Sequence, residues 1–443
     1  MEKTNLPKIS TAVPGPRTRE LIKRKMLSFT KNQLGQIAVQ RAFGNLVEDV
    51  DGNVFLDFSS STNLIGYNHP KIIMAIHDQI NKFIGASPIL SVPFIECAEK
   101  LKEMLPGELK EGKIAYTTTG SEAIDLATRL ARAYMKRELI ISFHEAHFGE
   151  GTSECSRLAG DYRPRYKGGL TPLILDTLFA PWPYCYRCPL GQSSDNCDLA
   201  CLSYFEEILS FSQEKVAAVI VEAIPANGGV LVPPPSYMQG LSSKCKEHGI
   251  VLVVDEVFSG FGKTGKFLAV ENWNVLPDIA CLGKSMGGEL PISAVATRAE
   301  IIDQCDFLAY GTQGSFSGNA CSCAATIATI NVIKEEGLLE RARKLGEYMK
   351  RRLEELADKY TNIGDVRGIG LILGLELVKD ATTKIPANEQ AELVLQNAYR
   401  RGLLISKVGR YGNVLRMTPP PIVTKEQVEV ALGILEESLK STL

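Results

Sequence analysis

The chain has 443 residues, enough for a large core and two domains. Hydrophobic residues make up 45% and the formal charge is −2, so there is neither the basic excess of a nucleic-acid binder nor the acidic excess of a disordered chain. The N-terminal Met1-Glu-Lys-Thr-Asn-Leu-Pro-Lys8 lacks the apolar core of a secretion signal and no apolar run is long enough to cross a bilayer, which leaves a soluble cytoplasmic enzyme as the expectation.

Residues 1–44 read as a polar arm carrying Pro14-Gly15-Pro16 and one amphipathic stretch over 18–29. From Leu46 to Phe58, apolar and polar residues alternate around Asp51-Gly52, which is a hairpin signal. Pro70 opens a predicted helix to about 83. In Ala115-Tyr-Thr-Thr-Thr-Gly-Ser-Glu122, Thr-Gly-Ser stands just before apolar positions 123, 127, 130, 131 and 134 at helical spacing. Free N–H groups, hydroxyls and a helix dipole there suit a phosphate, although an ordinary helix cap explains the same residues. A strand over 138–143 runs into Phe143-His-Glu-Ala-His147, where His144 and His147 read as a polar site rim.

Eleven cysteines are present, and four form a pattern, Cys185-x2-Cys188-x8-Cys197-x3-Cys201. That spacing leaves a structural zinc knuckle, disulfides or free thiols open. The clearest βαβ unit follows. Val216-Ala-Ala-Val-Ile-Val221 runs into Glu222, a helix spans 235–248, and Ile250-Val-Leu-Val-Val254 runs into Asp255. Continuous apolar runs mark parallel strands buried on both faces, and ligands bind beyond their C-terminal ends. A third strand over 278–282 delivers Lys284 to the same edge, where glycines at 283, 287 and 288 leave room. A lysine at the end of a buried strand is costly unless it is paired or neutralised, and imine formation neutralises it.

Beyond about 324 the chain turns to long helices over 322–336 and 338–358, then to Gly-rich strands over 362–378. A helix over 388–401, short strands over 403–406 and 413–417, and a capping box at Thr424-x-x-Gln427 complete it. The pattern predicts an α/β fold with a mostly parallel large domain over 61–323 and a smaller α+β domain over 324–443. Residues 1–60 supply an arm and part of the small domain.

A phosphate cup, an Asp and a Lys at neighbouring strand ends are the parts that pyridoxal phosphate requires. With them, Val254-Asp-Glu-Val-Phe-Ser-Gly-Phe-Gly-Lys-Thr-Gly265 and Leu282-Gly-Lys-Ser-Met-Gly-Gly-Glu-Leu-Pro291 resemble the class III aminotransferases, pyridoxal-phosphate enzymes of fold type I. The resemblance, from Val47 to Arg416, implies Lys284 as the Schiff-base lysine, Asp255 at the pyridine nitrogen, and Gly120 and Ser121 at the phosphate. It also implies Phe143 and Val257 on the two ring faces, Glu222 in support, and Arg416 on a substrate carboxylate. Ser315 stands where the family has a threonine that reaches the phosphate of the neighbouring subunit, so the resemblance implies a homodimer or higher assembly with shared sites. An amino donor and a 2-oxo acid such as 2-oxoglutarate or pyruvate would be the partners. Three departures bear on the substrate. Phe258 replaces a glutamine, Ala226-Asn227 replaces a Gly-Glu pair, and Ala146 stands near the place of an arginine that 4-aminobutyrate enzymes use. Some family members with the cysteine insert are racemases or epimerases, which is the alternative reading.

Overall fold

The computed structural model describes residues 5–29, 37–85, 90–160, 176–193, 196–305 and 314–442. It divides into two compact units, one of residues 1–69 with 343–443 and one of residues 70–342.

The unit of residues 70–342 is built on a seven-stranded sheet. Its strands are β1 (Lys113–Thr117), β2 (Leu139–Phe143), β3 (Thr177–Ala180), β4 (Val216–Glu222), β5 (Val251–Asp255), β6 (Ile279–Leu282) and β7 (Ser293–Thr297). The spatial order is β1-β7-β6-β5-β4-β2-β3. From β3 to β6 every pairing is parallel, and β7 runs back against both β6 and β1. All residues of β4, β5 and β6 are buried, as their unbroken apolar runs require. Each large aliphatic side chain so buried contributes roughly 1.5–3 kcal/mol. The helix Gly120–Met135 lays Ala123, Ala127, Leu130 and Ala131 on the sheet, while Pro235–Glu247 crosses over between β4 and β5.

In the other unit, Val39–Phe43, Leu46–Asp49 and Val54–Asp57 form an antiparallel set, joined in parallel by Leu403–Leu404. The hairpin turn has a second task. The Asp51 carboxylate accepts from the Arg17 and Thr18 N–H groups at 2.8 and 2.9 Å, capping the helix Pro16–Ser28 from outside it. A second sheet runs Ile363–Ile369, Ile372–Leu377, Val414–Met417, Ser406–Val408, all antiparallel. The helix Leu338–Lys359 carries the chain across the division. No helix among the described residues is long and apolar enough to cross a membrane.

Candidate active site

Three parallel strands end at one edge, and their register decides what meets there. Glu222 pairs with Asp255 across β4 and β5, and Asp255 pairs with Cys281 across β5 and β6. Lys284 follows two residues after β6 and lines the same cavity as both carboxylates. Its backbone φ is +46°, a left-handed conformation that a lysine adopts only when the surroundings impose it. The residue before it, Gly283, has no room for a side chain. A Cβ there would lie 2.6 Å from Ser293 Oγ and 3.2 Å from Val257 Cγ1.

Burial pushes the Asp255 carboxyl up to about 6, against the pull of the Val257 N–H, which donates to Asp255 Oδ1 at 2.8 Å, and of the Lys284 charge. Burial also drives Glu222 well above the ordinary carboxylate range, and the nearby Asp255 adds to this. The His147 N–H donates to Glu222 Oε2 at 2.8 Å and offsets part of it. A deep carboxylate raised by desolvation gains most from a cationic partner brought in by a ligand.

The start of the helix Gly120–Met135 also lines the cavity. Thr119 caps it: Thr119 Oγ1 accepts from the Glu122 N–H at 3.3 Å, and Glu122 Oε2 accepts from the Thr118 and Thr119 N–H groups at 2.7 and 3.1 Å. Thr119, Gly120 and Ser121 all line the cavity, so the positive helix end faces it. A Cβ on Gly120 would come within 2.6 Å of Val257 Cγ1. Only glycine keeps this approach open.

Of the expected site residues, Lys284, Asp255, Glu222, Val257, Gly120 and Ser121 therefore line one cavity. Phe143 does not. It is buried in the core, its ring 5.3 Å from that of Trp182 and 6.4 Å from that of Phe205. The strand end turns its ring inward, and the chain reaches the cavity only farther on, at His147, Phe148 and Gly149. His147 was legible as a rim residue; its place in the cavity wall was not. His144 stacks on Phe179 with ring centroids 5.9 Å apart. Ser315 is exposed in the turn before the helix Ala320–Glu335, and Arg416 is buried on Val414–Met417 of the other unit. Among the described residues none of the four patterned cysteines is in a disulfide, and no three His, Cys, Asp or Glu side chains are arranged to hold a metal ion. Burial pushes the Cys201 thiol up to about 11, with Cys185 and Cys197 adding.

Lysine, deep carboxylate and helix-start phosphate cup fit pyridoxal phosphate: the cup is kept open by Gly120, and the desolvation that raises Asp255 would be offset by a protonated ring nitrogen. The fold and site together define an α/β enzyme that works through a phosphorylated aldehyde. The comparisons with known proteins agree. The model of the family "Aminotransferase class-III" matches residues 29–439. A leucine/methionine racemase of Thermococcus litoralis is 37% identical over 96% of this chain and 96% of its own. A probable 4-aminobutyrate aminotransferase of Bacillus subtilis is 34% identical over 89% of this chain and 90% of its own. Among solved structures, a Bacillus anthracis aminotransferase superposes with a TM-score of 0.86 at 28% identity, covering 96% of this chain and 99% of that one. The chain belongs to the class-III aminotransferases, and its cofactor is pyridoxal 5′-phosphate.

Proposed function

We propose that the protein moves an amino group from an amino acid or ω-amino acid to a 2-oxo acid such as 2-oxoglutarate or pyruvate. The observation that carries this reading is the convergence of Lys284, Asp255 and the Thr119-Gly120-Ser121 helix start on one cavity. Pyridoxal phosphate, when bound, supplies a carbonyl for amine exchange and a ring that accepts electrons. Asp255 holds the ring nitrogen protonated, and the helix start with Ser121 holds the phosphate. Lys284 Nζ would provide the covalent attachment and, as a free amine, would move the proton from the amine-bearing carbon of the donor to the carbon that had been the cofactor's carbonyl. Glu222 supports Asp255, Val257 forms one wall, and Arg416 reads the substrate carboxylate. We assign the active form to a cytoplasmic homodimer in which Ser315 completes the neighbour's phosphate site.

A second reading, amino-acid racemisation, is favoured by the 37% identity to the Thermococcus litoralis racemase. Racemisation needs a proton donor on each face of the substrate carbon, and the His147 imidazole lines the cavity together with Lys284. One experiment separates the two. The enzyme is incubated with single L-amino acids and no 2-oxo acid, and cofactor absorbance and optical rotation are followed together. Stoichiometric conversion of the cofactor without further loss of rotation supports amino transfer. Catalytic loss of rotation overturns it in favour of racemisation.

A further inference from the structure

The segment after β5 delivers more than its carboxylate. Three residues beyond Asp255, Phe258 lines the cavity, and the Lys284 Nζ lies over its ring, 4.7 Å from the centroid. A second lysine uses the same ring: the Lys263 Nζ is 4.6 Å from the centroid, and Lys263 is only 1% exposed. A cation over an aromatic face is attracted by the ring quadrupole, and the attraction grows as water is excluded. Phe258 is itself buried, so its ring cannot swing away to solvent.

We propose that Phe258 is a positioning residue for Lys284, its ring face seating the lysine nitrogen at the cavity floor while Lys263 pins the ring from within the core. The side chain thus does by π-contact what a hydrogen-bonding residue would do by accepting from the ammonium. Other charged and titratable groups around the lysine are Asp255 and Glu222 from the adjacent strand ends and His147 from the cavity wall.

The inference rests on Lys284 as the cofactor-linking lysine. The holoenzyme is titrated with pH while the visible absorbance of the lysine-linked cofactor is recorded. The ring favours the cationic form of the lysine nitrogen, so Phe258→Leu lowers the titration midpoint by about half a pH unit or more, on the scale of a partly desolvated cation–aromatic contact. Phe258→Tyr, which keeps the face, restores it. Phe258→Met, similar in size and without a ring, carries the same expectation as Phe258→Leu if the latter does not fold. A midpoint unchanged in the Leu or Met variant, or shifted equally in the Tyr variant, overturns the proposal. Lys284→Ala is the separate control: visible absorbance that survives denaturation and dialysis in that variant would sink the lysine assignment itself.

Discussion

Asp255 shows how a site residue is held at a cost to the chain that carries it. Its carboxyl is raised from an ordinary 3.8 to about 6 by burial, so the folded protein binds that proton more tightly than the unfolded one. Stability of the cofactor-free chain therefore falls as pH rises from about 4 through about 6, and Glu222 acts in the same direction. Above that window the charged group costs on the order of 3 kcal/mol, which a cationic ring nitrogen would return. Cofactor-free Asp255→Asn should melt higher than the parent near pH 8 but not near pH 4, while its holoenzyme loses activity. Calorimetry at the two pH values checks this, and an equal gain at both would point to packing rather than charge. Asp255 and Lys284 were legible in the sequence because each closes an apolar run with a charge. Phe143 misled for a related reason: it also closes a strand, but a phenyl ring is as content in the core as in a cavity, and nothing local says which it chooses.

Among elements, two capping boxes of the same chemistry sit in different units. Thr424 Oγ1 accepts from the Gln427 N–H at 3.1 Å, much as Thr119 Oγ1 accepts from the Glu122 N–H. Either threonine changed to alanine should cost about 1 kcal/mol of stability. Only Thr119→Ala should also weaken cofactor retention on dialysis, because only that helix start is assigned to the phosphate. Equal retention in both variants would remove the helix start from the site. The capping box at Thr424 and strands β4 to β6 could be read directly, from side-chain spacing and from apolar runs. Strands β1 and β7 could not. Ser293-Ala-Val-Ala-Thr297 is short and built from small residues, and one of its two pairing partners, β1, lies far away in sequence. Non-local hydrogen bonding, not local preference, makes it a strand.

At the scale of the whole molecule, the exposed Ser315 turn gives the homodimer proposal a direct check. Lys284→Ala and a bulky Ser315→Arg variant should each be inactive alone. Unfolded and refolded together, they should regain part of the activity, since a mixed dimer would hold one site with an intact lysine and an intact serine. No recovery, with mixed dimers shown to form, would place Ser315 outside its neighbour's site. The change from apolar strands to charged helices led to an expected boundary near 324, whereas the division falls at 342/343 inside the helix Leu338–Lys359, where nothing in the helical spacing alters.

The reversal of β7 has its own consequence. Where β4 leads to β5 through a helical crossover, β6 must return at once, and the returning loop, residues 283–292, contains Lys284. Both feet of that loop are stitched to adjacent ladders of one sheet. A residue inserted into the short bridge bearing the reactive amine should therefore displace Lys284 and cost activity, whereas one inserted into a crossover should cost little.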